Sequence, residues 1–375
     1  MQWHYIDTDG ALAAAAQIWQ KSTLLALDTE FVRVDTYYPK LGLVQLSDGQ
    51  EVWLIDPLCI RDWQPFCTVM TAPGILKVLH SCSEDLETLK HHLQLVPSPM
   101  MDTQIAAGMA GFDGVMSYQR LVKATLDLDI DKDETRSDWM ARPLSQGQLT
   151  YAAADVLHLV KVAHILRDKL AGMQRLTWID EDMARLVAEW QKETGDKMLY
   201  AKVKQAWMLR PQQLAVLDSL TRWREERCKE LDIPRPRLLN DAALMELAKR
   251  MPADHKHLFQ FRDIKPNVVR KEGETIIELI TSAMHSDSSN WPERLAKPLS
   301  PQAGEWFKEM RALVSKKAEE LGVPPELLAR KKPLEWMLRQ GYPRGPYPVP
   351  DELLGWRETI IVQPLQQLLF NLSGK

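Results

Sequence analysis

Four apolar residues at positions 24–27 run directly into two carboxylates separated by one residue, Asp28 and Glu30. An apolar run of this length that ends at a polar break is typical of a buried strand. Side chains alternate across a strand, so Asp28 and Glu30 are expected to point to the same side. Neighbouring carboxylates in a core repel each other and lose hydration, so a cation such as Mg or Mn is expected between them. The alternative interpretation is that the strand ends at Leu27 and both acids are solvated.

A second candidate acid lies where an apolar run gives way to a helical pattern. Residues 78–81 form a short apolar run, and the segment 83–90 after it has helical spacing. Asp85 falls in the first turn of this helix, where a carboxylate also interacts favourably with the helix dipole. That interaction alone would explain Asp85, so its role depends on the acids around it. His80 could be a ligand or a donor to one, although a histidine at a strand end is commonly structural.

The third segment carries an acid and a tyrosine on one helix. Ser145 and Gln148 match the Ser-x-x-Gln capping box, which predicts that a helix starts there. Tyr151 and Asp155 are four residues apart and therefore share one face of this helix. The alanines between them allow close packing against a sheet, and the helix becomes apolar after Asp155, which places that acid at the edge of a buried stripe.

Together these segments hold four carboxylates and a tyrosine in the order Asp-x-Glu, Asp, Tyr-x-x-x-Asp. Residues 28–33, the segment 41–46, Trp139 and the run 142–144 accompany them. In these residues the chain resembles the DEDD exonucleases, in the subgroup that carries a tyrosine in its last motif, and within it the ribonuclease D family. The resemblance covers roughly residues 1–170, and all five expected catalytic positions are present.

The resemblance implies metal-dependent phosphodiester hydrolysis at these five residues. Two divalent ions, Mg or Mn, would stabilise charge on the attacking and leaving oxygens. By similarity to the family, Asp28 bridges both ions, and Glu30 and Asp155 complete the site that activates the attacking water. Asp85 would support the other ion. Tyr151 would orient the water by hydrogen bonding rather than act as a base, because a free tyrosine titrates near pH ~10.

The composition is that of a folded intracellular protein. The chain has 375 residues, enough for two or three domains, and 45% of them are hydrophobic, so no long disordered region is indicated. The four cysteines form no Cys-x-x-Cys pair, which argues against a zinc site or disulfide framework and favours a reducing compartment. The N-terminus lacks a signal-peptide pattern, and no segment is expected to be long and apolar enough to span a bilayer. A cytoplasmic location is therefore expected.

The formal net charge of −4 is unevenly distributed. Residues 1–200 hold 18 Lys+Arg and 28 Asp+Glu, a net charge of −10, whereas residues 201–375 hold 29 and 23, a net charge of +6. A basic half can attract a polyanion, although ordinary scatter also produces a charge of this size. The acid-rich segment 127–138 would repel phosphate and is interpreted as a solvated loop.

Candidates for phosphate contact in the basic half are Arg222, Arg224, Arg227, Lys229, Arg235 and Arg237. Glutamates are interspersed among them, so a solvated helix face is the alternative. Lys331 and Lys332 form a second, weaker patch. Phe31 and Gln45 are candidates for contact with the terminal nucleotides, with core packing as the alternative for Phe31.

Residues 1–170 alternate strand and helix patterns. Strands are predicted at 24–31, 43–47, 52–56 and 76–80, and helices at 11–20, 83–93, 103–108, 118–124 and 146–170. The short spacing between the first three strands predicts antiparallel neighbours, with helices covering the sheet. This pattern fits the α/β ribonuclease-H-like exonuclease domain, a mixed sheet flanked by helices, that the resemblance implies.

The second half is helical and contains an internal repeat. Residues 231–239 align with 321–329, an offset of 90 residues. Each copy has an amphipathic helix, a proline-containing turn and a further short helix. The first copy resembles the helicase-and-RNase-D C-terminal (HRDC) domain and the second is a divergent HRDC-like domain, so two all-α domains are expected. The polar stretch 282–298 between them is predicted to be a linker.

The expected domains are an exonuclease domain at 1–171, a helical linker at 172–207, a first HRDC domain at 208–290 and a second at 296–375. The resemblance implies a 3′–5′ exoribonuclease that releases 5′-mononucleotides and trims the 3′ ends of precursor tRNAs and other small structured RNAs, with no obligate protein partner. A DNA exonuclease of the same fold is one alternative, because only recognition of the ribose 2′-hydroxyl would distinguish the two. A non-catalytic RNA-binding protein is the other.

Overall fold

The computed structural model describes residues 2–130, 137–192 and 198–374 of the chain. The chain forms two compact units. The first consists of Met1–Val32, Lys40–Lys192 and Leu299–Lys375, and the second of Arg33–Pro39 and Glu193–Pro298. Residues 131–136, the middle of the predicted acid-rich loop, lie outside the described residues.

A six-stranded mixed sheet forms the centre of the first unit. Its strands are β1 (His4–Ile6), β2 (Leu24–Val32), β3 (Lys40–Ser47), β4 (Val52–Ile55), β5 (Leu76–Leu79) and β6 (Met100–Asp102), in the order β1-β4-β3-β2-β5-β6. The pairs β2–β3 and β3–β4 are antiparallel, which confirms the prediction from their spacing, and the other pairs are parallel. Strands β1 and β6 were not predicted, because three residues are too few to show an alternating pattern.

Eight helices cover the two faces of this sheet: α1 (Asp9–Trp19), α2 (Gln64–Met70), α3 (Ser83–Leu93), α4 (Thr103–Met109), α5 (Tyr118–Leu126), α6 (Gln146–Leu157), α7 (Leu159–Gly172) and α8 (Leu176–Gln191). Helices α1–α3 contribute to the core on one face, and α4–α8 pack with Leu24, Ala26, Leu43 and Leu54 on the other. The long helix predicted at 146–170 is divided at His158 into α6 and α7. The sequence analysis also missed α2.

One helical segment corrects the prediction that none is long and apolar enough to span a bilayer. Residues Gln146–Gly172 have a mean hydropathy of 1.3 over an 18-residue window, of which 44% is buried inside the protein. Ala152, Ala153, Val156 and Leu166 of this segment are fully buried in the core beside the sheet. The apolar character of α6 and α7 is therefore used to cover the sheet.

The predicted repeat is confirmed by the helices themselves. In the second unit α9 (Pro211–Leu231), α10 (Arg235–Leu238) and α11 (Asp241–Arg250) are followed by α12 (His255–Leu258) and α13 (Pro266–His285). In the C-terminal part of the first unit α14 (Pro301–Leu321), α15 (Pro325–Leu328) and α16 (Lys331–Gly341) begin at the same offset of 90 residues, and α17 (Gln363–Leu372) follows. Asp232 and Gly322, which end the two long helices, both have a positive φ, of 46° and 64°.

The C-terminal helices pack on α8 within the first unit. Trp356 stacks on Trp178 with ring centroids 4.2 Å apart, and Arg357 forms a two-point ion pair with Asp182 at 2.6 and 2.7 Å. The predicted linker was placed too early, because α13 continues through residue 285, and the chain is extended only from Trp291 onward.

Candidate active site

Three carboxylates meet where β2 passes under α6. Asp28 and Glu30 on β2 and Asp155 on α6 each offer one carboxylate oxygen, and these oxygens all lie within 4.8 Å of one another. Asp28 and Glu30 lie on the same face of the strand, as alternation predicts. Helix α6 packs on β2, β3 and β4, and this packing brings Asp155 over that face.

Asp85 approaches from the opposite side of the sheet. It lies in the first turn of α3, as predicted, and accepts a hydrogen bond of 2.6 Å from the Thr29 hydroxyl at Oδ1. Thr29 stands between Asp28 and Glu30 on β2, so its side chain points to the other face. Sequence analysis did not single out Thr29, although strand alternation could have indicated that it faces α3.

Tyr151 lies one helical turn before Asp155 on α6. A hydrogen bond between the two side chains lowers the pKa of Asp155, which burial raises. The Tyr151 ring also lies against Trp139, with ring centroids 6.2 Å apart. The other Asp155 oxygen, Oδ1, is buried and has no hydrogen-bond partner among the described residues. Asp155 thus keeps one oxygen available to a further ligand.

The motif that precedes α6 fixes the position of this helix. Arg142 donates to both oxygens of Asp56, the residue directly after β4, each at 2.6 Å, and to the Gly42 carbonyl at 2.8 Å. Gly42 has no room for a side chain, since an added Cβ would lie 2.7 Å from the Trp139 carbonyl oxygen. The predicted Ser145–Gln148 capping box is present at the start of α6. These contacts place Tyr151 and Asp155 over the sheet.

Burial is the main reason that every acid of the site has a raised pKa. It raises the pKa of Glu30 to about 9, of Asp155 to about 7 and of Asp85 to about 6. The pKa of Asp28 is raised well above its usual range by burial, and then by the charges of Asp85, Asp155 and Glu30. Without a cation these groups cannot all be ionised at neutral pH. Such a set of oxygen ligands fits a divalent metal ion.

His80 is structural in this arrangement. Its Nδ1 lies 2.9 Å from the Thr103 hydroxyl and its Nε2 lies 3.0 Å from the Met116 carbonyl, so both ring nitrogens are occupied. Burial lowers its pKa, which favours the neutral ring. Sequence analysis did not single out Tyr118. Its hydroxyl donates a hydrogen bond of 3.2 Å to the Ala154 carbonyl and so holds α6 in place next to Asp155.

The two candidates for nucleotide contact differ in exposure. Phe31 is half-buried at an irregularity in the pairing of β2 with β3. Gln45 is 0% exposed, so its side chain cannot touch a nucleotide and that prediction is wrong.

All five arginines predicted to contact phosphate form ion pairs within the second unit. Arg222 pairs with Asp218, Arg224 with Asp241, Arg227 with Glu230 and Glu272, Arg235 with Glu225, and Arg237 with Asp35. Arg224 is only 7% exposed and also donates to the Leu239 carbonyl, so burial removes it from the candidates for phosphate contact. By contrast, Lys331 and Lys332 are exposed and form no ion pair with any described residue.

Two of these arginines hold the segment Arg33–Pro39, which follows β2 in the chain. Arg235 donates to Glu225 at 2.6 Å and to the Tyr37 hydroxyl at 3.0 Å, and Tyr37 itself bonds to Glu225. Arg237 pairs with Asp35 at 2.6 Å. The backbone N–H groups of Tyr37 and Tyr38 also donate to one Asp232 oxygen, at 2.9 and 3.1 Å. Arg235 and Arg237 therefore hold the segment Arg33–Pro39 of the protein itself.

A mixed sheet with this acid cluster, followed by helical modules, defines a DEDD-type 3′–5′ exonuclease. A family model described as a 3′-5′ exonuclease matches residues 3–171, and one described as an HRDC domain matches residues 213–280. Ribonuclease D of Pseudomonas paraeruginosa is 46% identical to this chain over 98% of it and 97% of the relative, and that of a Shewanella species is 37% identical over 98% and 94%.

Structural similarity agrees with these matches. The crystal structure of Escherichia coli RNase D, described as an exoribonuclease involved in structured RNA processing, has a TM-score of 0.92 to this chain at 31% identity over 99% of both chains. The chain belongs to the ribonuclease D family. It is a 3′–5′ exoribonuclease with a site for divalent metal, which confirms the fold and activity expected from its motifs.

Proposed function

We propose that this enzyme uses two divalent ions, Mg or Mn, to release 5′-mononucleotides from RNA 3′ ends, and that its substrates are precursor tRNAs and other small structured RNAs. The observation that carries this proposal is the meeting of Asp28, Glu30 and Asp155 within 4.8 Å. Raised pKa values show that this cluster is costly to ionise without a cation, so a cation-dependent reaction explains why it is built.

Asp28 is the acid best placed to serve both ions. The charges of Asp85, Asp155 and Glu30 all raise its pKa, so it interacts with each of the other three carboxylates. Divalent ions bound here would stabilise negative charge on the attacking and leaving oxygens. Glu30 and Asp155 would hold one ion with Asp28, and Asp85, fixed by Thr29, would support the second.

Tyr151 is proposed to orient the attacking water. Its hydroxyl is held by Asp155, one of the proposed ligands, so it lies beside the reaction centre. A tyrosine titrates near pH ~10, so its hydroxyl stays protonated at neutral pH and donates a hydrogen bond instead of removing a proton.

The domain boundaries and the location of the enzyme are further parts of the proposal. The exonuclease domain at 1–171, the helical linker at 172–207, the first HRDC domain at 208–290 and the second at 296–375 are proposed as evolutionary modules. The matched regions 3–171 and 213–280 support the first and third of these. The free state of all four cysteines supports a cytoplasmic location, and the proposal includes no obligate protein partner.

The first test is digestion of a 5′-labelled RNA with a single-stranded 3′ tail, in Mg, in Mn and in EDTA. We expect a ladder that shortens from the 3′ end, requires metal and is lost in Asp28→Asn. The matched control is Asp168→Asn, which removes an exposed carboxylate on α7 that pairs with no described residue and should cleave at the wild-type rate. Equal loss of cleavage in both variants would show that Asp28 has no special role.

A matched DNA oligonucleotide and a binding assay decide between the remaining alternatives. Equal cleavage of DNA would favour the DNA exonuclease. RNA binding without shortening in either metal would favour a non-catalytic protein. Chromatography of the products should show nucleoside 5′-monophosphates, and precursor tRNA with a 3′ extension should be shortened to a defined end.

A further inference from the structure

Gln45 is a buried polar side chain that no contact explains. It lies on β3, is 0% exposed, and neither its amide nitrogen nor its amide oxygen has a hydrogen-bond partner among the described residues. Buried amides are almost always hydrogen-bonded, because an unpaired donor or acceptor in a core costs stability. An apolar residue would fill this position at lower cost, so the amide needs a functional explanation.

The pairing of the strands places Gln45 beside Asp28. The two residues are directly opposite each other in the antiparallel pair β2–β3. Side chains opposite each other project from the same face, with Cβ atoms about 4.5–5.5 Å apart. Neighbours of Gln45 on that face, Leu43 and Leu54, belong to the core beneath α6, so Gln45 lies on the side of the sheet where Asp155 meets Asp28.

Asp155 Oδ1 and Trp139 Nε1 on this side also lack partners among the described residues, as does His158 Nδ1 at the junction of α6 and α7. One orphan atom can be an accident of packing. Three residues with orphan atoms around one carboxylate cluster indicate a polar network that is completed when the site is loaded. The amide NH₂ of Gln45 supplies hydrogen-bond donors to this network, and carboxylates accept them.

We propose that Gln45 is a positioning residue for Asp28. Its amide supports the Asp28 carboxylate from the neighbouring strand, directly or through a buried water, when that carboxylate is ionised and holds metal. Ligand carboxylates are commonly oriented in this way, and loss of such a partner typically weakens metal binding about 10–100-fold. The inference rests on the proposed role of Asp28 as a metal ligand.

Gln148 provides a matched control on the same side of the sheet. It is also buried, at 6% exposure, but its amide is fully engaged with Ser137, Asp138 and the backbone N–H of Ser145. Its contacts cap α6 and explain its burial without the metal site. The two glutamines therefore differ in that hydrogen bonds within the protein explain the burial of Gln148 and not that of Gln45.

The experiment compares full-length Gln45→Leu and Gln148→Leu, with Asp28→Asn as reference. Mn²⁺ binding is measured by electron paramagnetic resonance of the free ion, and thermal unfolding is measured in EDTA. We expect Gln45→Leu to bind Mn²⁺ about tenfold more weakly than wild type while its melting temperature in EDTA is unchanged or higher. Gln148→Leu should lower the melting temperature in EDTA, whereas Asp168→Asn, at an exposed residue of α7, should bind Mn²⁺ like wild type.

Cleavage kinetics provide a second readout. The rate for Gln45→Leu should need about tenfold more Mn²⁺ for half-saturation and should approach the wild-type rate at saturation, with an unchanged KM for RNA. If Gln45→Leu does not fold, Gln45→Met, a flexible apolar side chain of similar length, is measured instead. Wild-type Mn²⁺ affinity in either folded variant would overturn the inference.

The Asp28→Asn reference distinguishes failure of this inference from failure of the proposed function. Loss of Mn²⁺ binding in Asp28→Asn together with wild-type binding in Gln45→Leu overturns the role of Gln45 alone. Unchanged Mn²⁺ binding in Asp28→Asn removes Asp28 from the metal site, and the inference about Gln45 falls with it.

Discussion

Two clusters of charge in this enzyme are built in opposite ways. In the first unit, Asp28, Glu30 and Asp155 converge within 4.8 Å with no described basic side chain paired to them. In the second unit, the arginines of α9 and α10 each pair with an acid of the same unit. The acids were predicted to bind metal and the arginines to bind phosphate, yet only the acids remain uncompensated.

This difference shows how to distinguish a binding site from a structural network in a charged sequence. Charge that is neutralised inside the protein supports the fold and is less available to a ligand. The ion pair of Arg235 with Glu225, which the Tyr37 hydroxyl joins, is an example. Charge that the protein leaves unpaired is expensive, and burial raises the pKa of those acids. Buried acids with raised pKa values and no basic partner therefore identify the functional site better than the number of charges does.

The largest effect should come from removing a carboxylate of the acid cluster. Asp155→Asn is expected to lower the cleavage rate at least about a thousandfold, about 4 kcal/mol of transition-state stabilisation. The same change should raise the free energy of unfolding without metal, by roughly 4 kcal/mol at pH ~8, because a buried charge is removed. Single-turnover kinetics and chemical denaturation in EDTA test the two effects. Lost activity together with lower stability would mean that Asp155 supports the fold.

A residue's role is easier to predict from sequence when its partners lie close to it in the chain. Asp28, Glu30 and Tyr151 were found because strand and helix periods place them locally. The position of Gln45 opposite Asp28 depends on register, and the pairing of Arg237 with Asp35 joins residues far apart in the chain. Sequence therefore indicated acids that the fold brings together, while the compensation of the arginines required the folded structure.

Tyr151→Phe should produce the next largest effect. Loss of the hydroxyl that bonds to Asp155 is expected to lower the rate about a hundredfold, about 2.7 kcal/mol, because the attacking water loses its orientation. Mn²⁺ affinity should stay within about twofold of wild type, since the carboxylates are kept. The test is kcat at saturating metal beside Mn²⁺ titration. A wild-type kcat would remove Tyr151 from the reaction.

In the second unit, where the arginines are paired with acids, Arg235→Gln should lower the stability of the protein and leave the cleavage rate unchanged. Glu225 is buried, and without Arg235 it keeps the Tyr37 hydroxyl and the nearby charge of Lys229. We expect the free energy of unfolding to fall by about 2 kcal/mol, since a buried carboxylate is left poorly paired. Urea denaturation measures this change, and the double variant Arg235→Gln/Glu225→Gln should recover part of it. Normal stability with weaker RNA binding would restore Arg235 as a phosphate contact.

The pH dependence of stability should distinguish the two clusters without mutation. Burial raises the pKa of Glu30 to about 9 and of Asp155 to about 7, so the metal-free folded state binds more protons than the unfolded state between pH ~4.5 and ~9. Its free energy of unfolding should therefore fall as pH rises through this range, by roughly 4 kcal/mol from pH ~6 to ~8. Saturating Mg should flatten the curve, because metal replaces the protons. A flat curve in EDTA would contradict the uncompensated cluster.

The smallest effect is expected at Arg222, whose partner Asp218 lies one turn away on α9. Helical ion pairs four residues apart contribute about 0.3–0.5 kcal/mol, so Arg222→Gln should change the free energy of unfolding by about that much. RNA affinity and its salt dependence should be unchanged, whereas Lys331→Gln/Lys332→Gln should reduce the salt slope by about 2 if those unpaired lysines contact phosphates. Binding titrations at several salt concentrations compare the two variants. A reduced salt slope in Arg222→Gln would mean that RNA displaces Asp218 from its arginine, and compensation within the protein would then no longer exclude a charge from ligand binding.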